Sequence, residues 1–122
     1  MSTNGSYLYA NGSYLHDVGR LAEKLVKDFG ALTYENFAED SRKVESAVMR
    51  VLMMKEGCAL LPNRIRRELA PIDWRAITGK WDGNAGCHVG FDRKQLWETI
   101  VQTLPGIGEK IQELLKGQSA VW

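Results

Sequence analysis

Apolar residues near the start of the chain recur at the spacing of an amphipathic helix. From Ser13 onward they follow one another at intervals of three and four positions, at Leu15, Val18, Ala22, Leu25 and Phe29. This spacing places them on one helical face. Gly30 follows directly, and glycine is common just past a helix end. The pattern therefore predicts a helix over residues 13–29.

The residues before this helix are small and polar. The unit Asn-Gly-Ser-Tyr-Leu occurs twice, at 4–8 and at 11–15, and Asn-Gly pairs favour turns. We predict that residues 1–12 form a flexible extension. The remaining residues, 13–122, match the length of a single domain.

Three further helices are predicted in the middle of the chain. Thr33 is a candidate N-cap for a short one, and Ser41 is a candidate N-cap for a long one over 41–61. Pro62 stops the long helix, and a short basic helix follows over 64–69. The apolar stripe of the long helix consists of Val44, Ala47, Val48, Val51, Leu52, Met54 and Cys58.

A glycine-rich loop separates the helices of the second half. A short helix is predicted over 72–77 with Asp73 as its candidate N-cap, and the loop follows over 79–92. The next helix spans 92–104 and continues through Pro105, which the first turn of a helix tolerates. No stretch alternates apolar and polar residues as a strand does, so we predict an all-α, four- to five-helix up-down bundle.

The charge balance argues against a generally basic surface, since the chain has 16 Lys and Arg residues and almost as many acidic ones, 15 Asp and Glu. A local cluster of Arg64, Arg66 and Arg67 is a candidate RNA contact or a solvated helix face. Three cations would give only weak, salt-sensitive affinity for RNA.

The two cysteines are far apart and form no disulfide framework, which predicts a reducing, cytoplasmic setting. The start of the chain lacks a signal-peptide pattern, and no apolar run approaches the ~18 residues of a membrane span. The cysteines and histidines also lack the close spacing of a zinc site, so we expect neither a metal nor a cofactor.

Four stretches of the chain resemble one protein family. They read YLHDV at 14–18, SAVMRVL at 46–52, IDWRAITGK at 72–80 and FDRKQLWETIVQTLPGIGEKIQELL at 91–115. The resemblance is to the HepT-like HEPN toxins, small helical ribonucleases found beside a minimal nucleotidyltransferase antitoxin. It implies a HEPN-type bundle that forms a homodimer, with the 79–92 loop at or near the cleft that holds RNA. It also implies a nucleotidyltransferase partner.

The chain departs from this family at the residues that carry its chemistry. The family signature is an Arg, four residues, a His, one residue and a Tyr, placed before the last long helix. In register, Trp81 stands at the Arg position, Gly86 at the His position and His88 at the Tyr position. Asp82 is the only residue here that fits the family signature, in which the Arg is usually followed by an acidic or amide residue. The resemblance therefore implies that ribonuclease activity is weak or absent.

A second departure lies in the 41–61 helix, where relatives commonly read Ile-Gly-Glu-Ala and this chain has residues 55–58, Lys-Glu-Gly-Cys. The two departures together are the pattern of a pocket that was emptied or refitted, naturally or by design. Lys55 falls within the apolar stripe. Burial would lower its pKa and allow Schiff-base chemistry on a small carbonyl compound. The alternative is that Lys55 extends its amine into water.

Cys58 and His88 complete this candidate catalytic set as nucleophile and base, and Cys87 lies beside His88 in the loop. The alternative is that Cys58 is a small buried apolar residue. Trp81 would either stack on a flat ligand or fill a dimer seam. Three functions remain open, which are a weakened ribonuclease, a refitted covalent pocket and a non-catalytic partner-binding subunit.

Overall fold

The predicted helices are present in the computed structural model, which describes residues 3–69, 72 and 74–121. The helices are α1 (Thr3–Phe29), α2 (Tyr34–Ala38), α3 (Ser41–Ala59), α4 (Asn63–Leu69), α5 (Trp74–Thr78), α6 (Arg93–Glu98) and α7 (Leu104–Val121). This confirms the predicted all-α bundle. None of the described helices is long and apolar enough to cross a lipid bilayer.

The apolar face predicted for α1 forms the centre of the core. Its members Leu15, Val18, Ala22, Leu25 and Phe29 are all buried. The helix packs against α3 and α7. Two glycines permit the close approach, because a Cβ at Gly19 would lie 2.9 Å from Ile111, and one at Gly57 would lie 2.8 Å from Val18. The helix begins at Thr3 rather than at Ser13, and the flexibility of residues 1–12 stays a prediction.

Side-chain caps define the starts of three helices. Thr33 caps α2 as predicted, since its hydroxyl accepts from the Asn36 backbone N–H at 3.2 Å. The predicted cap of α3 was wrong by one residue. Asp40 has extended backbone and its carboxylate accepts from the backbone N–H of residues 42 and 43, so Ser41 is already helical. Asp92 caps α6 in the same way. Asp73 lies outside the described residues.

The 79–92 loop contains a small β-hairpin that the sequence pattern did not predict. Strands β1 (Lys80–Asp82) and β2 (Cys87–Val89) pair antiparallel, with Trp81 opposite His88. Three residues are too few to show an alternating pattern. Gly79 is required at the hairpin base, because its φ is +67° and a Cβ there would lie 2.2 Å from the Val89 carbonyl oxygen.

A π-helical segment (Thr99–Thr103) joins α6 to α7 in one continuous helix. The Leu104 backbone N–H donates to the Thr99 carbonyl, five residues back. In an unbroken α-helix, the ring of Pro105 would clash with the carbonyl of Val101. The wider π turn avoids this clash and lets the helix pass through Pro105 as predicted.

Candidate functional site

The hairpin and the first half of α3 enclose a groove of about 260 Å³. Helix α3 contributes Glu45, Val48 and Met49 to its lining, and the hairpin contributes Trp81, Cys87 and His88. A larger depression of about 370 Å³ lies between α1 and α7, but no predicted site residue lines it. The hairpin groove is therefore the candidate site.

Trp81 and His88 form the hairpin wall of the groove as a cross-strand pair. Their ring centroids are 5.4 Å apart and their planes meet at 68°, an edge-to-face arrangement. The indole of Trp81 remains 58% exposed. The Nδ1 atom of His88 is buried, and no described residue hydrogen-bonds to it. An unpaired buried nitrogen is uncommon in folded proteins, so the His88 imidazole brings unused hydrogen-bonding capacity to the groove.

Asp82 and Gly86 shape the turn of the hairpin. The Asp82 carboxylate accepts from the backbone N–H groups of Asn84 at 2.9 Å and Ala85 at 3.3 Å. Gly86 has a φ of +68° and donates its backbone N–H to the Asp82 carbonyl. Of the two, Gly86 also lines the groove, where it contributes no side chain. Asp82 is thus a turn-forming residue, and Gly86 brings no functional group to the groove.

Cys87 is half-buried and lines the groove opposite Asp82 in the strand register. Its free thiol is next to His88 in sequence, so in the strand the two side chains point to opposite faces of the pleat. Both nevertheless line the groove. The groove brings Trp81, Gly86, Cys87 and His88 together, and a functional role for them stays a prediction.

The structure does not bring Lys55 and Cys58 to this groove. Lys55 is exposed on α3, which favours the alternative in which its amine extends into solvent. The helix-wheel interpretation failed because the hairpin covers Val44 and Val48 but does not extend along α3 as far as Lys55.

Cys58 is buried near the C-terminal end of α3 and does not line the groove. It lies roughly 14 Å beyond Met49 along the helix axis, at ~1.5 Å per residue. Burial raises the pKa of its thiol to about 11, and the positive charge of Arg66 opposes that rise. A thiol with so high a pKa is protonated near neutral pH and is a poor nucleophile. The pairing of Cys58 with His88 is not present in this structure.

The arginine cluster lies on α4, at the C-terminal end of α3, and does not line the groove. All three side chains of the cluster are exposed, and Arg66 donates a hydrogen bond to the Asn63 side-chain oxygen. The groove instead contains Arg93, which sequence reasoning missed. Its guanidinium donates to the Ala38 carbonyl, and the Trp97 indole N–H donates to the Leu32 carbonyl, so both attach α6 to the α2 region.

Glu45 is the second groove residue that the sequence did not reveal. It carries a carboxylate and sits on the exposed edge of the α3 stripe, where acidic residues are ordinary. Only the hairpin, which the pattern did not predict, identifies it as part of a site. Among the described side chains, no three His, Cys, Asp or Glu residues cluster closely enough to hold a metal ion.

Comparison with known proteins gives two relatives that match over most of their length. One is named "Putative RNase TTE0752", from Caldanaerobacter subterraneus subsp. tengcongensis, and is 23% identical over 103 residues, covering 84% of this chain and 92% of the relative. The other is named "Probable ribonuclease HepT", from Thermococcus cleftensis, and is 28% identical over 104 residues, covering 84% and 94%. No family model and no solved structure gives a match.

One of these two relatives bears the name of the family that the four stretches resemble. Each match covers 84% of the chain, so the similarity is not confined to one motif. The chain is therefore similar, over 84% of its length, to proteins named as a putative RNase and a probable ribonuclease HepT.

Proposed function

We propose that this protein keeps the HepT-like scaffold while its ribonuclease activity is weak or absent. The relatives that match it are named as ribonucleases, which supports RNA as the ancestral substrate class. The groove occupies the part of the chain in which the family carries its signature. What differs is the set of side chains at that place.

One observation carries this proposal, which is the β-hairpin at the signature positions. Trp81 replaces the Arg with a side chain that has no charge to stabilise a phosphate. Gly86 replaces the His with no side chain at all, in the turn of the hairpin at a φ of +68°. General acid–base catalysis is typically worth ~100- to 10,000-fold in rate. We therefore expect a site without that histidine and that arginine to cleave RNA only slowly.

The groups left in the groove do not rebuild the missing pair. His88 supplies one imidazole, but it stands at the family's Tyr position and pairs with Trp81. Arg93 supplies a guanidinium, which is already bonded to the Ala38 carbonyl. The loss of the Tyr also removes the residue that a nucleotidyltransferase partner is thought to modify in this family.

Non-catalytic binding is the role that this scaffold retains. We propose a homodimer in the cytoplasm, with a nucleotidyltransferase as its partner. Exposed Met49, Met53 and Trp81 supply apolar surface for assembly. The free cysteines, Cys58 and Cys87, suit a reducing compartment. RNA contact through the α4 arginines would be weak and would fall steeply with salt.

A cleavage assay and a binding assay on the purified protein test this proposal together. We expect metal-independent cleavage of transfer RNA near the background rate, and RNA binding that disappears as salt rises from 50 to 200 mM, the range over which phosphate contacts weaken strongly. Robust cleavage by the wild-type protein would contradict the proposal. Tight, salt-resistant RNA binding would contradict the claim that RNA contact is weak.

A further inference from the structure

The depression between α1 and α7 is a concave site that shares no lining residue with the hairpin groove. Its volume of about 370 Å³ falls within the range of small-molecule pockets. Buried Ala22 and Leu104 line it, together with half-buried Val26 and exposed Pro105. The two helices that form it already pack against each other in one chain, so the depression exists without a partner.

Gly108 keeps this depression open. A Cβ at Gly108 would meet no atom within 4 Å, so it would project into free space. Two other helical glycines differ, because a Cβ at Gly19 would lie 2.9 Å from a side chain of another helix, and one at Gly57 would lie 2.8 Å from one. Glycine is unfavourable inside a helix. Packing between helices does not explain Gly108, whereas an occupant of the depression does.

The α7 wall of the depression begins at the π turn. Leu104 and Pro105 both line the depression, and they directly follow the π-helical segment (Thr99–Thr103). Single π turns within helices occur frequently at functional sites. The altered hydrogen-bond pattern and the glycine at Gly108 therefore lie on the same stretch of α7, where the helix borders the depression.

The charges around the depression favour a positively charged occupant. Glu23 lies on the α1 side and Glu109 on the α7 side, and both are exposed. Lys27 supplies one positive charge, so two carboxylates and one ammonium group leave the lining net negative. None of these three residues takes part in a described ion pair. Both carboxylates are therefore available to a cation that lies between the two helices.

We propose that the depression between α1 and α7 binds a small organic cation, an amine with an apolar body. The apolar body packs on Val26 and Leu104 in the space that Gly108 leaves open, where burial of its surface gives affinity. The ammonium group lies between the carboxylates of Glu23 and Glu109, which gives the preference for positive charge. This site goes beyond the proposed function, because neither RNA nor a second copy of the chain takes part.

Three ligands of the same shape test the preference for a cation. Phenylbutylamine, phenylbutanol and phenylbutyrate share one apolar body and end in an ammonium group, a hydroxyl and a carboxylate. Titration of each into isotope-labelled protein, followed by amide NMR shifts, gives both the site and the Kd. We expect the amine to bind at least about tenfold more tightly than the carboxylate, with the alcohol between them. The amides of Ala22, Val26 and Gly108 should shift, and those of the hairpin should not.

Gly108→Ala and Gly106→Ala form a matched pair of variants. Both residues lie on α7 and a Cβ at either meets nothing within 4 Å, but of the two only Gly108 lines the depression. Alanine is more favourable than glycine in a helix, so both variants should have a Tm at or above that of wild type. We expect Gly108→Ala to weaken binding of phenylbutylamine by about fivefold or more, because the added methyl group occupies the site. Gly106→Ala should leave its Kd unchanged.

Glu109→Gln tests the charge without changing the shape of the lining. We expect it to remove most of the preference for the amine over the alcohol while the Kd of the alcohol stays unchanged. Glu113→Gln is the control, since Glu113 is an exposed carboxylate on α7 that does not line the depression. This variant should keep the preference of wild type.

Several outcomes would overturn the proposal. Phenylbutyrate that binds as tightly as phenylbutylamine would exclude a cation site. Amide shifts confined to the hairpin or spread over the surface, or no saturable binding of the amine, would exclude the depression as the site. Equal binding of the amine by wild type and Gly108→Ala would do the same. These results leave the proposed loss of RNA cleavage and the proposed homodimer untouched, since both concern other parts of the protein.

Discussion

Trp81 lies directly opposite His88 across the hairpin, with their ring centroids 5.4 Å apart and their planes at 68°. The resemblance to the HepT-like toxins implies an Arg and a Tyr at these two positions. In this structure they hold an aromatic pair instead. The pair forms one wall of the groove, and more than half of the indole stays exposed.

We expect Trp81→Ala to destabilise the hairpin without unfolding the bundle. Cross-strand aromatic pairs are worth up to about 1 kcal/mol, and the core lies outside this pair. Urea unfolding should show a loss of that size, while Trp81→Phe should retain most of the stability. In NMR spectra the imidazole signals of His88 should shift and those of His16 should not. Unchanged His88 signals would contradict the contact.

Gly79 is the position at which the hairpin tolerates substitution least. Gly79→Ala forces a left-handed conformation, which costs ~1–2 kcal/mol, and brings Cβ to 2.2 Å from the Val89 carbonyl oxygen. Gly106→Ala is the control, since nothing lies within 4 Å of its Cβ and helical alanine gains up to ~1 kcal/mol over glycine. Thermal unfolding should lower the Tm of the first variant and leave or raise that of the second. A Gly79→Ala protein as stable as wild type would contradict the hairpin geometry.

The buried thiol of Cys58 makes stability fall at alkaline pH. Its pKa rises from 9.0 to about 11 on folding, chiefly because burial disfavours the thiolate. Between these two values the unfolded chain loses this proton while the folded chain keeps it, so the free energy of unfolding decreases as pH rises. The contribution is present below pH 9 and is lost by about pH 11, on the order of 3 kcal/mol.

Cys58→Ala isolates this contribution from other groups that titrate in the same range. The variant should lose less stability than wild type between pH 9 and pH 11 in urea titrations at matched pH. Cys87→Ala, which changes the half-buried thiol of the groove, serves as the control and should follow wild type. Parallel curves for wild type and Cys58→Ala would contradict the buried, protonated thiol.

Lys55 is expected to behave as a surface lysine. Its side chain is exposed, as is that of Lys24 on α1, so neither is removed from water. Trapping with a small aldehyde and borohydride, followed by peptide mass mapping, should modify the two at similar rates. Strong preference for Lys55 would contradict its exposed position and would revive the covalent pocket as a function.

The helical part of this fold was predictable because it depends on local periodicity and caps. Every residue predicted for the apolar face of α1, from Leu15 to Phe29, is buried. Helices also start at Thr33 and Asp92 as predicted. The hairpin was not predictable, because its strands of three residues carry no period and its turn depends on Asp82 and glycine backbone.

The candidate site was predictable only in part for the same reason. Trp81 and His88 were singled out from their place in the signature and Cys87 as a thiol beside His88, and the groove brings the three together. Lys55 was misplaced because a helical wheel identifies a face but cannot say how far along the helix a neighbouring element covers it. Glu45 and Arg93 were missed because only the fold of the hairpin against α3 gives them a shared groove.

The most direct test of the central claim is the rate of RNA cleavage by wild type beside its two single-histidine variants. A fluorogenic RNA with excess enzyme and a metal chelator measures the chemical step. We predict a wild-type rate near background, changed less than about tenfold by either His88→Ala or His16→Ala, well below the ~100- to 10,000-fold of an acid–base catalyst. Rapid cleavage by wild type that His88→Ala abolishes and His16→Ala preserves would contradict the account, because it would show that His88 has taken over the catalytic role.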